Sequence, residues 1–267
     1  MSDLTSRDIL RLTKAMAEVE TESFFKALKD LLRAQLHFDT LLILQITQGT
    51  PPQLVSGWLS RPIIPQDALT AYIDGAYRLD PFYQFSQTPT DGALYRLSDI
   101  APDRFFTGEY YLKYYSETHL CDEVGLLVPL GAGTTAHLSM SRREEAGPFK
   151  RKELQCLRHY SPLLIQLLKE HCAGHQGQYA QSPLSAADPF ADVIQAELAE
   201  ALGIKLTHRE AQIAELVIQG HSNASAALKL GVAYEPVNVH RRNIYRKLCM
   251  SSQGELLSLL YDLHYAR

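Results

Sequence analysis

Apolar residues recur at helical spacing near the start of the chain: Ile9, Leu12 and Met16, then Phe24, Leu28, Leu31, Leu32 and Leu36. That period predicts helix over most of 7–36. TLLILQI at 40–46 and QLVSGWL at 53–59 read as strands joined by a Gly-Thr-Pro-Pro turn. Helices are expected around 66–78 and 102–117. VGLLVPL at 124–130 and TAHLSMS at 135–141 then form a hairpin around Gly131 and Gly133, and a helix from about 149 to 172 follows. Strands packed with helices in this order predict an α+β domain, its antiparallel sheet covered by helices.

The pattern lapses over 174–190, GHQGQYAQSPLSAADPF, which reads as a linker. A domain of residues 1–173 should precede it, and a smaller all-α domain of residues 191–267 should follow. ADVIQAELAEAL at 191–202 suits a short amphipathic helix. Thr207 with Glu210 three residues on is a capping box, so a second helix starts there, turns Ile213, Leu216 and Val217 inward, and stops at Gly220. Ser222 caps a third, with Ala226, Ala227 and Leu230 inside and Gly231 closing it. The fourth carries Val237, Ile244 and Leu248 inward and Arg241, Arg242, Arg246 and Lys247 among its outward positions. Short helix, turn, basic helix is a helix-turn-helix. Ser252 and Glu255 open a last helix with Leu256, Leu257, Leu259, Leu260 and Leu263, which either packs on the helix that starts at Thr207 or pairs two copies.

Charge sharpens this picture. The whole chain carries −4, yet from Leu206 onward seven basic residues face five acidic ones, and four of the basics fall within 241–247. A basic helix is often just a solvated face; within a helix-turn-helix it is a DNA reader, some residues holding phosphates and others reading bases. Asn238 can read adenine and an arginine can read guanine. Candidate DNA contacts are therefore Asn238, Arg241, Arg242, Tyr245, Arg246 and Lys247. The four cysteines sit at long spacings, and His171, Cys172 and His175 cluster only loosely, so no metal or other cofactor is expected. No apolar run reaches membrane-spanning length and no signal-peptide core opens the chain, so a cytoplasmic protein is expected.

Residues 206–256 resemble the DNA-binding domain of LuxR-type transcription factors, with its LT-x-R-E, G-x-S-N, Val-x-x-His and N-I-x-x-K-L pattern. Leu206, Thr207, Arg209, Glu210, Gly220, Ser222, Asn223, Val237, His240, Asn243, Ile244, Lys247 and Leu248 stand in those places. Residues 224–227 (Ala-Ser-Ala-Ala) replace the family's K-E-I-A, Ala233 its serine cap, Pro236 its threonine and Asn238 its lysine. Pro236 falls in the first helical turn, where a missing N–H is harmless, but both changes point to an unusual operator. The resemblance implies double-stranded DNA as partner and a homodimer paired through the last helix.

The first domain is similar, more distantly, to the PAS/GAF-like ligand-binding domain of the quorum-sensing members. Tyr72, Tyr77, Asp80 and Pro81 match a tyrosine-to-Asp-Pro stretch, one residue shorter here, and Gly125, Leu126, Pro129 and Leu130 match a G-L-x-x-P-L strand. Ala68 stands where the family's pocket tryptophan would donate to a lactone carbonyl, so a ligand other than an acyl-homoserine lactone is expected. Trp58, Tyr72, Tyr77, Asp80, Phe82, Tyr95, Phe106, Tyr110 and Asp122 are the candidate ligand contacts. Aromatics line cavities but also build cores. Asp80 is either a ligand anchor or a cap for the turn at Pro81. Asp122 and Glu123 could meet a cation, which makes an amine a candidate ligand.

Three rival readings remain. GAGTTA at 131–136 fits a dinucleotide fingerprint, but the next residues alternate like a strand, so a hairpin turn explains the glycines better and an enzyme is not expected. Residues 1–60 lack the acidic pair of a phosphorylated receiver. A ligand-independent domain that only sets dimer geometry fits the sequence too.

Overall fold

The computed structural model describes residues 5–60, 76–88, 91–108, 111–112, 118–174 and 190–265. The chain forms two compact units. Met1–Tyr77, Phe82–Ile100 and Thr118–Ser185 make the first; Arg78–Pro81, Ala101–Glu117 and Ala186–Arg267 make the second. Most of the expected linker, 175–189, lies outside the described residues.

In the first unit the N-terminal helical stretch is two helices, α1 (Ser6–Ala17) and α2 (Phe24–Arg33). They are separated at Glu20, whose φ of 69° no helix accepts. Strands β1 (Thr40–Thr47), β2 (Gln53–Leu59), β3 (Ala93–Arg96), β4 (Leu120–Gly131) and β5 (Thr134–Arg143) form one antiparallel sheet in the order β2-β1-β5-β4-β3. Helices α3 (Pro81–Ser86) and α4 (Leu97–Ile100) flank β3, and α5 (Arg151–Gly174) follows β5. This is the expected α+β sheet with flanking helices, and the all-α part follows it.

Strand alternation divides the sheet into two faces. On one, Leu41, Ile43, Val124, Leu126, Val128, Ala136, Leu138 and Met140 pack with Leu28 and Leu31 of α2 and Leu164 and Leu168 of α5. Arg142 fixes the edge of that layer. Its buried guanidinium is bidentate to Glu153 in the first turn of α5, at 2.6 and 3.0 Å, and donates to the His37 carbonyl.

The other face carries Gly125, His137 and Ser139. A Cβ at Gly125 would collide with the Phe82 ring and His137 Nε2, so only glycine lets Phe82 lie there. Phe82 stacks on the His137 ring at 4.5 Å. His137 is fully buried, and among the described residues neither ring nitrogen has a hydrogen-bond partner.

The second unit holds α6 (Phe190–Leu202), α7 (His208–Ile218), α8 (Asn223–Leu230), α9 (Tyr234–Leu248) and α10 (Gln253–Tyr265). Two expected helices are described only in part. Residues 61–75, most of the helix expected at 66–78, lie outside the described residues, and 76–79 form a 3-10 turn. Residues 102–108 are not α-helix: a single 3-10 turn spans Phe105–Thr107, and Gly108 then turns extended. Tyr111 and Leu112 are helical, and 109–110 and 113–117 lie outside the described residues. Phe105 is buried while Phe106 and Thr107 are exposed, and the Arg104 N–H goes to the carbonyl of Gly220 rather than up a helix.

Burial pushes His137 down to about 3 from an ordinary value of 6.5. The unfolded chain therefore binds this proton first, so the stability is complete above pH about 6.5 and is lost progressively as pH falls toward 3. The melting temperature should drop as pH is lowered from neutral, and His137→Leu should flatten part of that drop. Thermal melts across a pH series check this; parallel profiles for the two proteins would refute it.

Candidate functional site

The reader is built on helix ends. Thr207 caps α7: its hydroxyl accepts from the Glu210 N–H, and its own N–H reaches the Glu210 carboxylate at 2.8 Å. Gly220 turns the chain with φ +93°, and Ser222 caps α8 by accepting from the Ser225 N–H. Gly231 closes α8 in the left-handed conformation, which frees the chain to start α9. The N-cap of α9, Ala233, has no side-chain bond, and Pro236 sits in the first turn.

Inward positions Val237, Ile244 and Leu248 fix the rotation of α9. Glu235, Val239, Arg242 and Arg246, spaced four, three and four apart, then form one exposed outer stripe. The expected DNA residues divide around it. Arg242 and Arg246 lie on the stripe. Asn238, Arg241 and Tyr245 lie on the flank toward α8. There Asn223 donates to Asn238 (3.3 Å) and accepts from Arg241 (3.0 Å), while Arg241 Nη2 donates to the Tyr245 hydroxyl (2.9 Å).

Lys247 lies on the other flank, where its ammonium is engaged within the unit. Its ammonium donates to the Glu210 carboxylate at 2.7 Å and to the Lys205 carbonyl at 3.1 Å. Burial would raise Glu210, but the bonds from Lys247 and Thr207 outweigh it and hold this carboxyl below its ordinary value. Sequence reasoning missed Asn223 as a positioning residue, and Glu235 and Val239 as stripe residues. A valine 48% exposed within a helix is the signal that could have found the last.

Residues 101–108 belong to the same unit as these helices. The Asp103 carboxylate accepts from the Ser222 N–H (3.0 Å), and the Arg104 N–H donates to the Gly220 carbonyl (2.9 Å). Burial acts to raise Asp103, but the bonds from Ser222 prevail and keep it below the usual aspartate range. Beside it His221 is pushed down to about 4 by burial and by Lys229, whose ammonium lies 3.4 Å from the ring. The neutral imidazole shares a 2.7 Å hydrogen bond with the Ser225 hydroxyl.

The expected ligand residues are not one cluster. Phe82 covers Gly125 and His137; Tyr95 pairs in register with Gly125 and sets its ring against Phe85 at 4.6 Å. Tyr77, almost fully buried, meets Tyr83 edge-on at 4.6 Å. These three belong to the first unit. Trp58 does not share their face. It pairs with Leu41 on the helix-covered side, edge-on to Phe38, with the Lys29 and Arg33 cations at 5.2 and 4.8 Å.

Asp122 is also set apart, because its carboxylate is already satisfied. Arg96 binds it through two bonds of 3.0 and 2.8 Å, and the N–H groups of Phe149 and Glu123 complete the set. Glu123, next in sequence, points to the opposite face, where the Ser139 hydroxyl donates to it at 2.6 Å. Asp80 is buried in the 78–81 segment and Phe106, with Phe105 and Tyr111, lies in 101–117, both in the second unit. Tyr72 and Tyr110 fall outside the described residues. His137 and Ser139 were missed; polar residues at alternate positions of TAHLSMS were their signal.

No described helix is long and apolar enough to cross a membrane. Residues 204–260 match the family described as bacterial regulatory proteins, luxR family (GerE). The protein assigned as an HTH-type transcriptional regulator in the exeN 3′ region of Aeromonas salmonicida is 31% identical over 187 residues, covering 68% of this chain and 93% of that protein. The LBD domain of VqsR from Pseudomonas aeruginosa has a similar fold, with a TM-score of 0.56 and 26% identity over 64% of this chain and 98% of that one. UhpA of Escherichia coli K12 is 40% identical over 57 residues, or 21% of this chain and 29% of UhpA. The chain thus belongs to the luxR family of bacterial regulatory proteins, whose members are DNA-binding transcriptional regulators and not enzymes.

Proposed function

We propose that this regulator binds operator DNA as a homodimer through the outer stripe of α9, and that a small molecule bound by the first unit biases DNA binding. The observation that carries the DNA half is the stripe itself. Arg242 and Arg246 are exposed there with Glu235 and Val239, and Asn238 and Arg241 are held beside them by Asn223. Arginine supplies phosphate or guanine contacts, a carboxylate accepts from cytosine and valine suits a thymine methyl. Leu257 and Leu259 of α10, half-buried beside the buried Leu256 and Leu260, support pairing of two readers.

The ligand half rests on the second sheet face of the first unit. Phe82, Tyr95, His137, Ser139 and Glu123 combine aromatic walls with a few buried polar groups, the composition of a small-molecule site. Ala68, in place of the tryptophan expected to hold a lactone, argues against an acyl-homoserine lactone, and Glu123 suits an amine. A ligand acts only by differential affinity for the DNA-competent state. Phe82 lies directly on Gly125 and His137, which favours a second reading in which the domain is a ligand-independent scaffold. A thermal-shift titration with small amines and acyl lactones separates the two: a saturable rise supports sensing, and none across the panel supports the scaffold.

Selection of genomic fragments by the purified chain tests the DNA half, with a two-fold-symmetric enriched site as the expected result. Arg242→Ala should weaken binding to that site and reduce the slope of log K against log salt by about one. Lys247→Ala should instead lower the melting temperature, because it strands the buried Glu210 carboxylate, and leave the salt slope unchanged. Equal salt slopes for Arg242→Ala and the parent chain would overturn the assignment of the stripe.

A further inference from the structure

Residues 101–108 follow α4 of the first unit in sequence, yet they belong to the reader unit. Their first part is docked backbone to backbone. Gly220 would place a Cβ 2.9 Å from Phe105 Cα and 3.0 Å from its N, so the contact needs glycine there. The Gly220 carbonyl takes the Arg104 N–H, and the Asp103 carboxylate takes the Ser222 N–H. Gly108, at the far end, lies against the Gln253 side chain at the start of α10.

Ser222 is the N-cap of α8, the first helix of the helix-turn-helix. When the second helix of such a motif enters the major groove, the first crosses the DNA backbone. A helix N-terminus offers free N–H groups and a positive dipole end to a phosphate. Asp103 presents a carboxylate to one of those groups, so its negative charge occupies the place a phosphate would take.

We infer that residues 101–108 are an autoinhibitory strap, in which the Asp103 carboxylate blocks the phosphate-binding start of α8 and must leave it before DNA docks. The inference rests on the DNA-binding reading of α9. It makes the strap a route by which the first unit regulates the reader, because Ala101 follows α4 directly in the chain and the first unit resumes at Thr118. Asp103 itself is exposed, so replacing it leaves the core untouched.

The test uses the full chain and a mixed-sequence duplex at low salt. Asp103→Ala should bind about two- to fivefold tighter than the parent chain, the scale of one charge at a helix end, with Asp103→Asn between them. In the unaltered chain, hydrogen exchange at the amides of Arg104 and Ser222 should speed up when duplex is added, a readout that needs no variant to fold. Equal or weaker binding by Asp103→Ala at an unchanged melting temperature would overturn the strap while leaving the reader intact. Added protection of those two amides on DNA would do the same. No binding by any of the three proteins would remove the DNA-binding reading, and the strap with it.

Discussion

Glu210 is 4% exposed, and one of its carboxylate oxygens accepts from the Thr207 N–H, the Thr207 hydroxyl and the Lys247 ammonium. A buried carboxylate without partners is costly enough to be neutralised or expelled, so these bonds are a condition of the helix packing and not an addition to it. They join the first turn of α7 to the last turn of α9. The rotation of α9 is thereby set at its C-terminal end by an ion pair and along its length by Val237, Ile244 and Leu248. The outer stripe of Glu235, Val239, Arg242 and Arg246 faces away as a consequence. One residue type at position 210 therefore caps a helix and aims another.

The reader was legible because its signals are local. Capping boxes, a glycine with positive φ and a 3.6-residue period act over three or four residues, and each was where the spacing put it. The role of Lys247 was not local. Four basics within 241–247 look alike in sequence, and only a partner 37 positions away separates the lysine that closes an ion pair from Arg242 and Arg246 on the exposed stripe. Asn223 was visible as part of a motif, but its hold on Asn238 and Arg241 depends on how α8 crosses α9.

In the sheet the limit was register. Adjacent residues in a strand point to opposite faces, so Asp122 and Glu123 cannot serve one site together. Sequence shows that they part, but not which faces the helices; the pairing of Asp122 with Arg142 and of Val124 with Met140 decides that. The same rule moves Trp58 away from Gly125, since it pairs with Leu41 on the core side. Aromatic identity alone could not distinguish Trp58, which closes the core under two cations, from Phe82, which closes the other face.

That other face keeps polar groups where hydrocarbon would pack as well. His137 is buried with no hydrogen-bond partner among the described residues, a cost of about 1–3 kcal/mol for each such group. Leucine would fill a similar volume without that cost, so stability does not explain the residue. Two positions along β5, the Ser139 hydroxyl spends its proton on the buried Glu123. A sheet face that serves only as core has no use for an imidazole that lacks a partner among the described residues. A face that must recognise a polar molecule does, because uncompensated donors and acceptors are what a matching ligand satisfies and a mismatched one leaves buried. Gly125 belongs to the same argument: by omitting a side chain it lets the Phe82 ring stack on the imidazole.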